Sequence, residues 1–271
     1  MIKINDKLVT QAHFPDNSLR IETEYVSSMF DFSWSWLGKG TSTKTITWHY
    51  ENDAELFTII CLRKHFANDD VILKMPYCPH ARMDRVKTSN EFFTLKHFAD
   101  VINSLDFVEV EILDPHSNVC AALLNDVKVE YPADYISKAI NNIDSQNLVA
   151  FYPDEGAMKR GTDYIKGSYA FGIKKRDWET GKILGLELMN KEVIKDRDVL
   201  IIDDICSRGG TFYHSAKALK EAGAKNIYLY ITHCENTILE GELLTSGLIE
   251  KVYTTNSIFT KEHEKIEVFE L

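Results

Sequence analysis

Short apolar runs recur along the chain, and most are followed by a polar turn and then by residues with helical spacing. The run Val-Leu-Ile-Ile at 199–202 is the clearest, because it ends in Asp203 and Asp204 before a polar turn with two glycines and helical spacing over 212–222. A continuous apolar run is typical of a strand buried on both faces of a parallel sheet. The stretch therefore predicts a buried strand, a loop and a helix.

The same reasoning predicts the other elements. Strands are predicted at 71–75, 108–113, 148–152, 168–173, 183–188, 227–232 and 252–255, and helices at 52–68, 92–105 and 239–246. Alternating Ser/Thr and aromatic residues between 20 and 48 favour further strands, and Pro15 followed by Asp-Asn predicts a turn. Strands that alternate with helices indicate an α/β fold with mainly parallel sheets.

The elements repeat in a similar order in the two halves of the chain. Polar residues around Tyr131-Pro132 and Asn141-Asn142 interrupt the pattern between the halves. We therefore expect an N-terminal domain over 1–141 and a C-terminal domain of related build over 142–271.

Composition narrows the class of protein. The chain has 271 residues, of which 44% are hydrophobic and 27% charged, as in ordinary globular proteins with full cores. Its 31 Lys and Arg against 41 Asp and Glu give a net charge of −10, which argues against a surface that binds a nucleic-acid backbone. An anionic substrate would have to be held by local clusters of cations.

Cysteine usage and hydropathy bear on the compartment. Five cysteines are scattered without a Cys-x-x-Cys pair, so we expect reduced thiols and neither a disulfide framework nor a zinc site. The sequence shows no signal peptide, and no apolar run approaches the ~18 residues that a membrane span needs. These observations predict a cytoplasmic protein without membrane contact.

The turn after the run 199–202 carries the strongest candidate chemistry. At the carboxyl end of a parallel strand, the unpaired N–H groups and the positive end of the helix dipole favour a phosphate. Gly209 and Gly210 have no Cβ, so the backbone can approach an anion closely. Asp203 and Asp204 would repel that anion, and their expected partners are sugar hydroxyls or a divalent cation. The turn predicts a ribose phosphate with Mg²⁺; a capped turn with solvated acids is the alternative.

Two arginines follow the predicted strand 71–75. The guanidinium groups of Arg82 and Arg85 suit bidentate capture of phosphate. A surface ion-pair cluster with Asp84 would explain this segment equally well.

Two further clusters follow predicted strands. His116, close to Asp114, is either a metal or phosphate ligand or a structural hydrogen bonder. Lys174, Lys175 and Arg176 precede a polar turn with one glycine, which predicts a mobile flap that carries three cations.

Five segments, in this order, resemble motifs of the ribose-phosphate diphosphokinase (phosphoribosyl diphosphate synthetase) family. They are Pro76-Tyr77-x-x-x-Ala81-Arg82-x-Asp84-Arg85, Asp114-Pro115-His116, Pro153-Asp154-x-Gly156-Ala157-x-Lys159-Arg160, Lys174-Lys175-Arg176, and Asp203-Asp204 with Gly209-Gly210-Thr211. The resemblance covers nearly the whole chain. It implies two domains of the type I phosphoribosyltransferase fold, a homo-oligomer, and transfer of the β,γ-diphosphoryl group of Mg·ATP to the 1-hydroxyl of a ribose 5-phosphate unit with release of AMP.

The resemblance also implies a role for each matching residue. ATP would be bound by Phe14, Asp16, Arg82, Asp84, Arg85 and His116, Mg²⁺ by His116, Asp154, Asp203 and Asp204, and the ribose phosphate by Asp203, Asp204, Ser207, Arg208, Gly209, Gly210 and Thr211. Lys174 and Arg176 would be catalytic, and Lys175 could share that role.

The chain departs from the family pattern at several positions. Ser18 replaces a glutamate of the adenine pocket, and Met83 replaces the usual glutamine. Ser207-Arg208 replaces Asp-Thr beside the 5-phosphate, a local shift of about two charge units toward positive. This shift makes ADP-ribose, in a nicotinamide (NAD) salvage route, a second candidate acceptor of equal weight.

Two other classes of function remain open at this level. A type I phosphoribosyltransferase would use the same paired-acid loop but would consume phosphoribosyl diphosphate and need no ATP. A non-catalytic regulatory homologue would associate with active subunits, although the retained Lys174, Arg176, Asp203 and Asp204 argue against it.

Overall fold

The computed structural model describes residues 1–24, 43–162, 167–176 and 183–271, with 174–176 and 183–185 described as backbone. The chain divides into two compact units, Met1–Glu130 and Tyr131–Leu271. Within the described residues, each unit contains a mixed seven-stranded sheet with helices. The predicted α/β class with mainly parallel sheets is confirmed.

The first unit combines an antiparallel β-meander with a parallel α/β region. Its strands are β1 Ile2–Ile4, β2 Lys7–His13, β3 Leu19–Thr23, β4 Thr43–Trp48, β5 Asp70–Lys74, β6 Glu109–Leu113 and β7 Val127–Glu130, in the sheet order β3-β2-β1-β4-β5-β6-β7. Its described helices are α1 Glu55–His65, α2 Thr94–Asn103 and α3 Asn118–Leu123. Strands β4 to β7 are parallel, so their carboxyl ends lie along one edge of the sheet.

Helical periodicity explains α2, whose buried residues Leu95, Phe98, Ala99 and Ile102 form one apolar face. Helix α1 begins three residues later than predicted. The side chain of Asn52 accepts a hydrogen bond from the N–H of Ala54 at 3.0 Å, so Asn52 stabilises the turn before the helix rather than capping its first residue.

The second unit has one antiparallel strand at the edge of its sheet. Its elements are α4 Ala133–Ile143, β8 Leu148–Tyr152, α5 Glu155–Gly161, β9 Tyr169–Arg176, β10 Ile183–Met189, β11 Asp198–Cys206, α6 Gly210–Glu221, β12 Ile227–Cys234, β13 Lys251–Thr255 and β14 Ile266–Phe269. The sheet order is β10-β9-β8-β11-β12-β13-β14, and the pairs other than β9 with β10 are parallel. The expected domain boundary after residue 141 falls within α4.

The central strand β11 is buried on both faces, as its apolar run predicts. Val199 and Ile201 belong to one apolar cluster of the unit, and Leu200 and Ile202 belong to another. All four side chains are at most 5% exposed. This packing fixes the position of Asp203 and Asp204, which follow directly in the same strand.

The predicted helix at 239–246 is wrong. A 3₁₀ turn, Asn236–Glu240, occupies the start of this segment and ends at Gly241, whose backbone is extended. A Cβ on Gly241 would lie 1.9 Å from the carbonyl oxygen of Arg208. The close approach of the two backbones, which apolar spacing does not reveal, ends the helical turn here.

The expectation that all cysteines are reduced is also wrong for one pair. Cys78 and Cys120 form a disulfide between segments 42 residues apart in sequence. Both are buried, and they follow the neighbouring strands β5 and β6, which brings them together without any short-range sequence signal. Cys61, Cys206 and Cys234 are free thiols.

Among the described residues, no helix is long and apolar enough to cross a bilayer.

Candidate active site

The loop between β11 and α6 has the predicted strand, turn and helix. Strand β11 ends at Cys206, and the twelve-residue helix α6 begins at Gly210. Gly209 precedes the helix with φ 79°, in the left-handed region, and a Cβ there would lie 3.0 Å from the side chain of Leu243. The turn therefore requires a glycine at this position.

Replacing Gly209 with alanine should destabilise the fold. We expect Gly209→Ala to lower the free energy of unfolding by about 1 to 2 kcal/mol, because an L-residue must adopt a left-handed conformation and its methyl group meets Leu243. Gly210→Ala is the matched control, since a Cβ there has no neighbour within 4 Å. Thermal unfolding of both variants measures the difference, and equal loss of stability would contradict the requirement at Gly209.

The side chains of this loop are held by the segment that follows β12. Ser207 donates a hydrogen bond to Glu235 Oε2 at 2.7 Å, and Thr237 donates to the same oxygen at 3.0 Å. Arg208 forms an ion pair with Glu240 at 2.8 Å, with side chains 71% and 57% exposed. An ion pair this exposed contributes little stability, so the guanidinium can exchange Glu240 for a ligand at small cost.

Glu235 and Glu240 were not anticipated from the sequence. Glu235 directly follows β12, which is the parallel neighbour of β11. In the sequence, the one feature that could have indicated Glu235 is its position at the carboxyl end of a predicted strand.

The two paired acids share an internal cation. Arg160 Nη2 lies 2.6 Å from Asp204 Oδ1 and 3.5 Å from Asp203 Oδ1. Burial raises the pKa of Asp203 well above its ordinary value, and the nearby carboxylates of Asp204 and Asp154 raise it further, whereas Arg160 lowers it. The site therefore concentrates negative charge where solvent screens it poorly.

Asp154 joins the acids from the neighbouring strand. Strands β8 and β11 are parallel neighbours, and Asp154 follows β8 as the N-cap of α5, accepting a hydrogen bond from the N–H of Ala157 at 3.0 Å. Helix α5 ends at Gly161, where a Cβ would lie 2.1 Å from the ring of Tyr152. This close packing places Arg160 and Asp154 beside the acids of β11.

Carboxylate oxygens are the ligands that Mg²⁺ prefers, and the ion is commonly held by one or two of them together with water and substrate phosphates. Among the described residues, no group of three or more side chains is arranged as a protein-only metal site. Asp203 and Asp204 of β11 are two such carboxylates.

Four of the six predicted ATP residues follow neighbouring strands of the first unit. Arg82, Asp84 and Arg85 follow β5, and His116 follows β6, the parallel partner of β5. The N–H of Leu113 donates to the carbonyl of Pro76 at 3.0 Å. The two segments therefore begin side by side, and the Cys78–Cys120 disulfide joins them again further on.

The arginines of this cluster differ in environment. Arg82 is exposed, with a partner of its own. Arg85 is 75% exposed and lies 3.7 Å from Asp84, which is the surface ion pair that the sequence left open.

Phe14 and Asp16 lie apart from this cluster, in the turn between β2 and β3. In the sheet order, β1 and β4 separate that hairpin from β5. Phe14 is 50% exposed. Hydrogen bonds from the hydroxyl and the backbone N–H of Ser18 lower the pKa of Asp16, so Asp16 stabilises the predicted turn.

Lys174 and Arg176 lie in the last part of β9. Their backbone pairs with β10, with Lys174 opposite Leu186 and Arg176 opposite Ile183. The predicted flap residues 177–182 lie outside the described residues, and of Lys174, Lys175 and Arg176 only the backbone is described.

The fold and the loop together define a class of protein. A mostly parallel sheet whose central strand carries two acids near its carboxyl end, followed by a glycine turn and a helix N-terminus, is the type I phosphoribosyltransferase architecture. Two α/β units occur in this chain.

Comparisons with known proteins specify the family. The chain is 30% identical over 233 residues to ribose-phosphate pyrophosphokinase 1 of Listeria monocytogenes, covering 81% of this chain and 70% of the relative. It is 29% identical over 229 residues to ribose-phosphate pyrophosphokinase 2 of Enterococcus faecalis, covering 80% and 68%. No family model matches the sequence. The chain belongs to the ribose-phosphate pyrophosphokinase family.

The fold agrees with this membership. A crystal structure of phosphoribosylpyrophosphate synthetase from Mycobacterium smegmatis superimposes with a TM-score of 0.76 at 16% identity, covering 97% of this chain and 86% of that one.

Proposed function

We propose that the protein transfers the β,γ-diphosphoryl group of Mg·ATP to the anomeric 1-hydroxyl of a ribose 5-phosphate unit and releases AMP. The observation that carries the proposal is the pair Asp203 and Asp204, which lie near the carboxyl end of β11, shortly before a glycine turn and the N-terminus of α6. Family membership supports it, because the curated relatives are named ribose-phosphate pyrophosphokinases.

The acceptor would bind at the β11–α6 loop. Backbone N–H groups between Ser207 and Thr211, at the positive end of α6, suit its 5-phosphate. Asp203 and Asp204 suit the ribose hydroxyls and the cation. When bound, Mg²⁺ would neutralise charge on the phosphate oxygens, and Asp154 is near enough to assist in holding it.

Arg82, Arg85 and His116 would hold the triphosphate, with Asp84 orienting Arg85. Phe14 and Asp16 are the adenine-side residues that the family resemblance suggests. Attack of the 1-hydroxyl oxygen on the β-phosphorus breaks the bond to the α-phosphate oxygen, which leaves as AMP. Such a transfer depends on positioning and charge stabilisation, which we assign to Lys174 and Arg176, with Lys175 as an additional cation.

The identity of the acceptor depends on Arg208. Ribose 5-phosphate is one acceptor; ADP-ribose, in which the 5-phosphate carries a further anionic group, is the other. The weak, exposed pair of Arg208 with Glu240 favours the second, because a guanidinium held only by a solvated carboxylate is available to a second phosphate.

Substitution of Arg208 should separate the two acceptors. If ADP-ribose is the substrate, Arg208→Thr should raise the KM for ADP-ribose about tenfold, the effect of one lost charge-assisted hydrogen bond. The KM for ribose 5-phosphate should change less than about twofold. Glu240→Gln, which releases the guanidinium, should lower the KM for ADP-ribose. Equal effects of Arg208→Thr on both sugars would assign Arg208 no part in acceptor choice.

One assay tests the proposed function as a whole. Purified protein is incubated with MgCl₂, ATP and either ribose 5-phosphate or ADP-ribose, and AMP and the product mass are followed. AMP with a 1-diphosphorylated sugar supports the proposal. Consumption of phosphoribosyl diphosphate with a base, without ATP, would identify a phosphoribosyltransferase, and absence of turnover under all conditions would identify a non-catalytic homologue.

A further inference from the structure

Among the described side chains, Arg160 supplies a cation that contacts the acids of β11. It lies in the last turn of α5, and its Nη2 is 2.6 Å from Asp204 Oδ1 and 3.5 Å from Asp203 Oδ1. The side chain of Asp204 is 4% exposed and that of Asp203 is 14% exposed, whereas Arg160 is 32% exposed. The guanidinium thus covers the acids from the solvent side.

Backbone packing places this guanidinium. Asp154 fixes the start of α5 through its hydrogen bond to the N–H of Ala157. At the other end, the missing Cβ of Gly161 lets the helix lie directly against the ring of Tyr152. A Cβ on Gly156 would lie 3.7 Å from Arg160 Nη1 and 3.2 Å from Asp154 Oδ1, so the second glycine leaves room for both charged groups.

The acids need a counter-ion before any ligand arrives. Carboxylates removed from water are costly unless they are paired, and in this site Asp154, Asp203 and Asp204 repel one another. A cation of the chain itself meets this requirement when the substrate is absent.

We propose that Arg160 is a positioning residue that acts as the counter-ion of the Asp203–Asp204 pair in the free protein and gives up its place on Asp204 when the metal-bound acceptor enters. Free Mg²⁺ alone then competes with a fixed guanidinium and binds weakly. This second part rests on the proposed function; the counter-ion role in the free protein does not.

The counter-ion role is tested by thermal unfolding in EDTA. We expect Arg160→Gln to lower Tm by about 5 to 10 °C, because it removes the guanidinium that lies 2.6 Å from the buried carboxylate of Asp204. Arg160→Lys should lose less. Arg197→Gln, which removes an exposed guanidinium shortly before β11, is the control and should leave Tm unchanged. An unchanged Tm for Arg160→Gln would overturn the role.

A double variant keeps the test decisive if Arg160→Gln alone fails to fold. If the loss comes from an uncompensated carboxylate, Arg160→Gln combined with Asp204→Asn should recover most of the lost Tm. The double variant should therefore fold even if Arg160→Gln does not. A double variant that is no more stable than the single one would contradict the pairing.

Metal binding tests the exchange. Titration of the free chain with MgCl₂ in a calorimeter should show at least about tenfold tighter binding to Arg160→Gln than to the parent, because the competing guanidinium is gone. Equal affinity would overturn the exchange. Neither readout depends on turnover, so failure of this proposal is distinct from failure of AMP release.

Discussion

Replacement of Arg176 with alanine should lower kcat by about three orders of magnitude, the scale found for arginines that stabilise a transferring phosphoryl group. The KM for ATP should change by less than about threefold, because such a side chain acts on charge that develops in the transition state. Steady-state AMP release at saturating ATP and acceptor measures both constants.

Two variants complete this experiment. Arg176→Lys keeps the positive charge but lacks the planar guanidinium group with its paired N–H donors, and it should retain part of the activity. Arg197→Ala removes an exposed arginine before β11 and should leave the kinetics unchanged. Turnover of Arg176→Ala equal to the parent would exclude Arg176 from the transition state.

Asp203→Asn should change activity and stability in opposite directions. The amide cannot replace a carboxylate toward a cation and sugar hydroxyls, so we expect kcat/KM for the acceptor to fall by about 10²- to 10³-fold. Because the pKa of Asp203 is raised in the folded protein, its ionised form destabilises the fold at neutral pH. The asparagine variant should therefore be at least as stable as the parent at pH 7.

The destabilisation of the fold by ionised Asp203 depends on pH. A carboxyl with a raised pKa holds its proton more tightly in the folded chain, so its contribution to stability is complete below the unfolded pKa of about 3.9 and is lost as pH rises toward the folded pKa. Asp203→Asn should remove that loss. Unfolding free energies at pH 4 and pH 7 measure it.

Asp198→Asn is the matched control for this variant. Asp198 lies at the opposite end of β11 and accepts hydrogen bonds from Ser145 and Asn226 at 2.7 and 2.9 Å. Its replacement should reduce stability and leave the kinetics intact. Loss of turnover in both variants would indicate that β11 itself had been disturbed.

The elements that sequence reasoning placed well are those whose burial follows from local pattern. Strand β11 is apolar on both faces because both faces are covered, and the predicted strand 148–152 coincides with β8. Asp203 and Asp204 could be placed near the carboxyl end of β11 because the continuous apolar run stops directly before them.

The features that were missed depend on contacts between distant segments. The helix expected at 239–246 is stopped by the backbone of Arg208 lying on Gly241, and the disulfide depends on neighbouring strands that bring Cys78 to Cys120. Arg160 belonged to a matching motif, but its contact with Asp204 follows from the close packing of Gly161 on Tyr152. Periodicity carries no information on such approaches.

The contacts of the 235–243 segment with the β11–α6 loop bear on how members of this family diverge. The guanidinium of Arg208 pairs with Glu240, a residue 32 positions downstream and outside the loop. Under the proposed function, substitutions in this outlying turn would change the range of sugars accepted while Asp203 and Asp204 stay unaltered. Directed evolution of acceptor range would begin there.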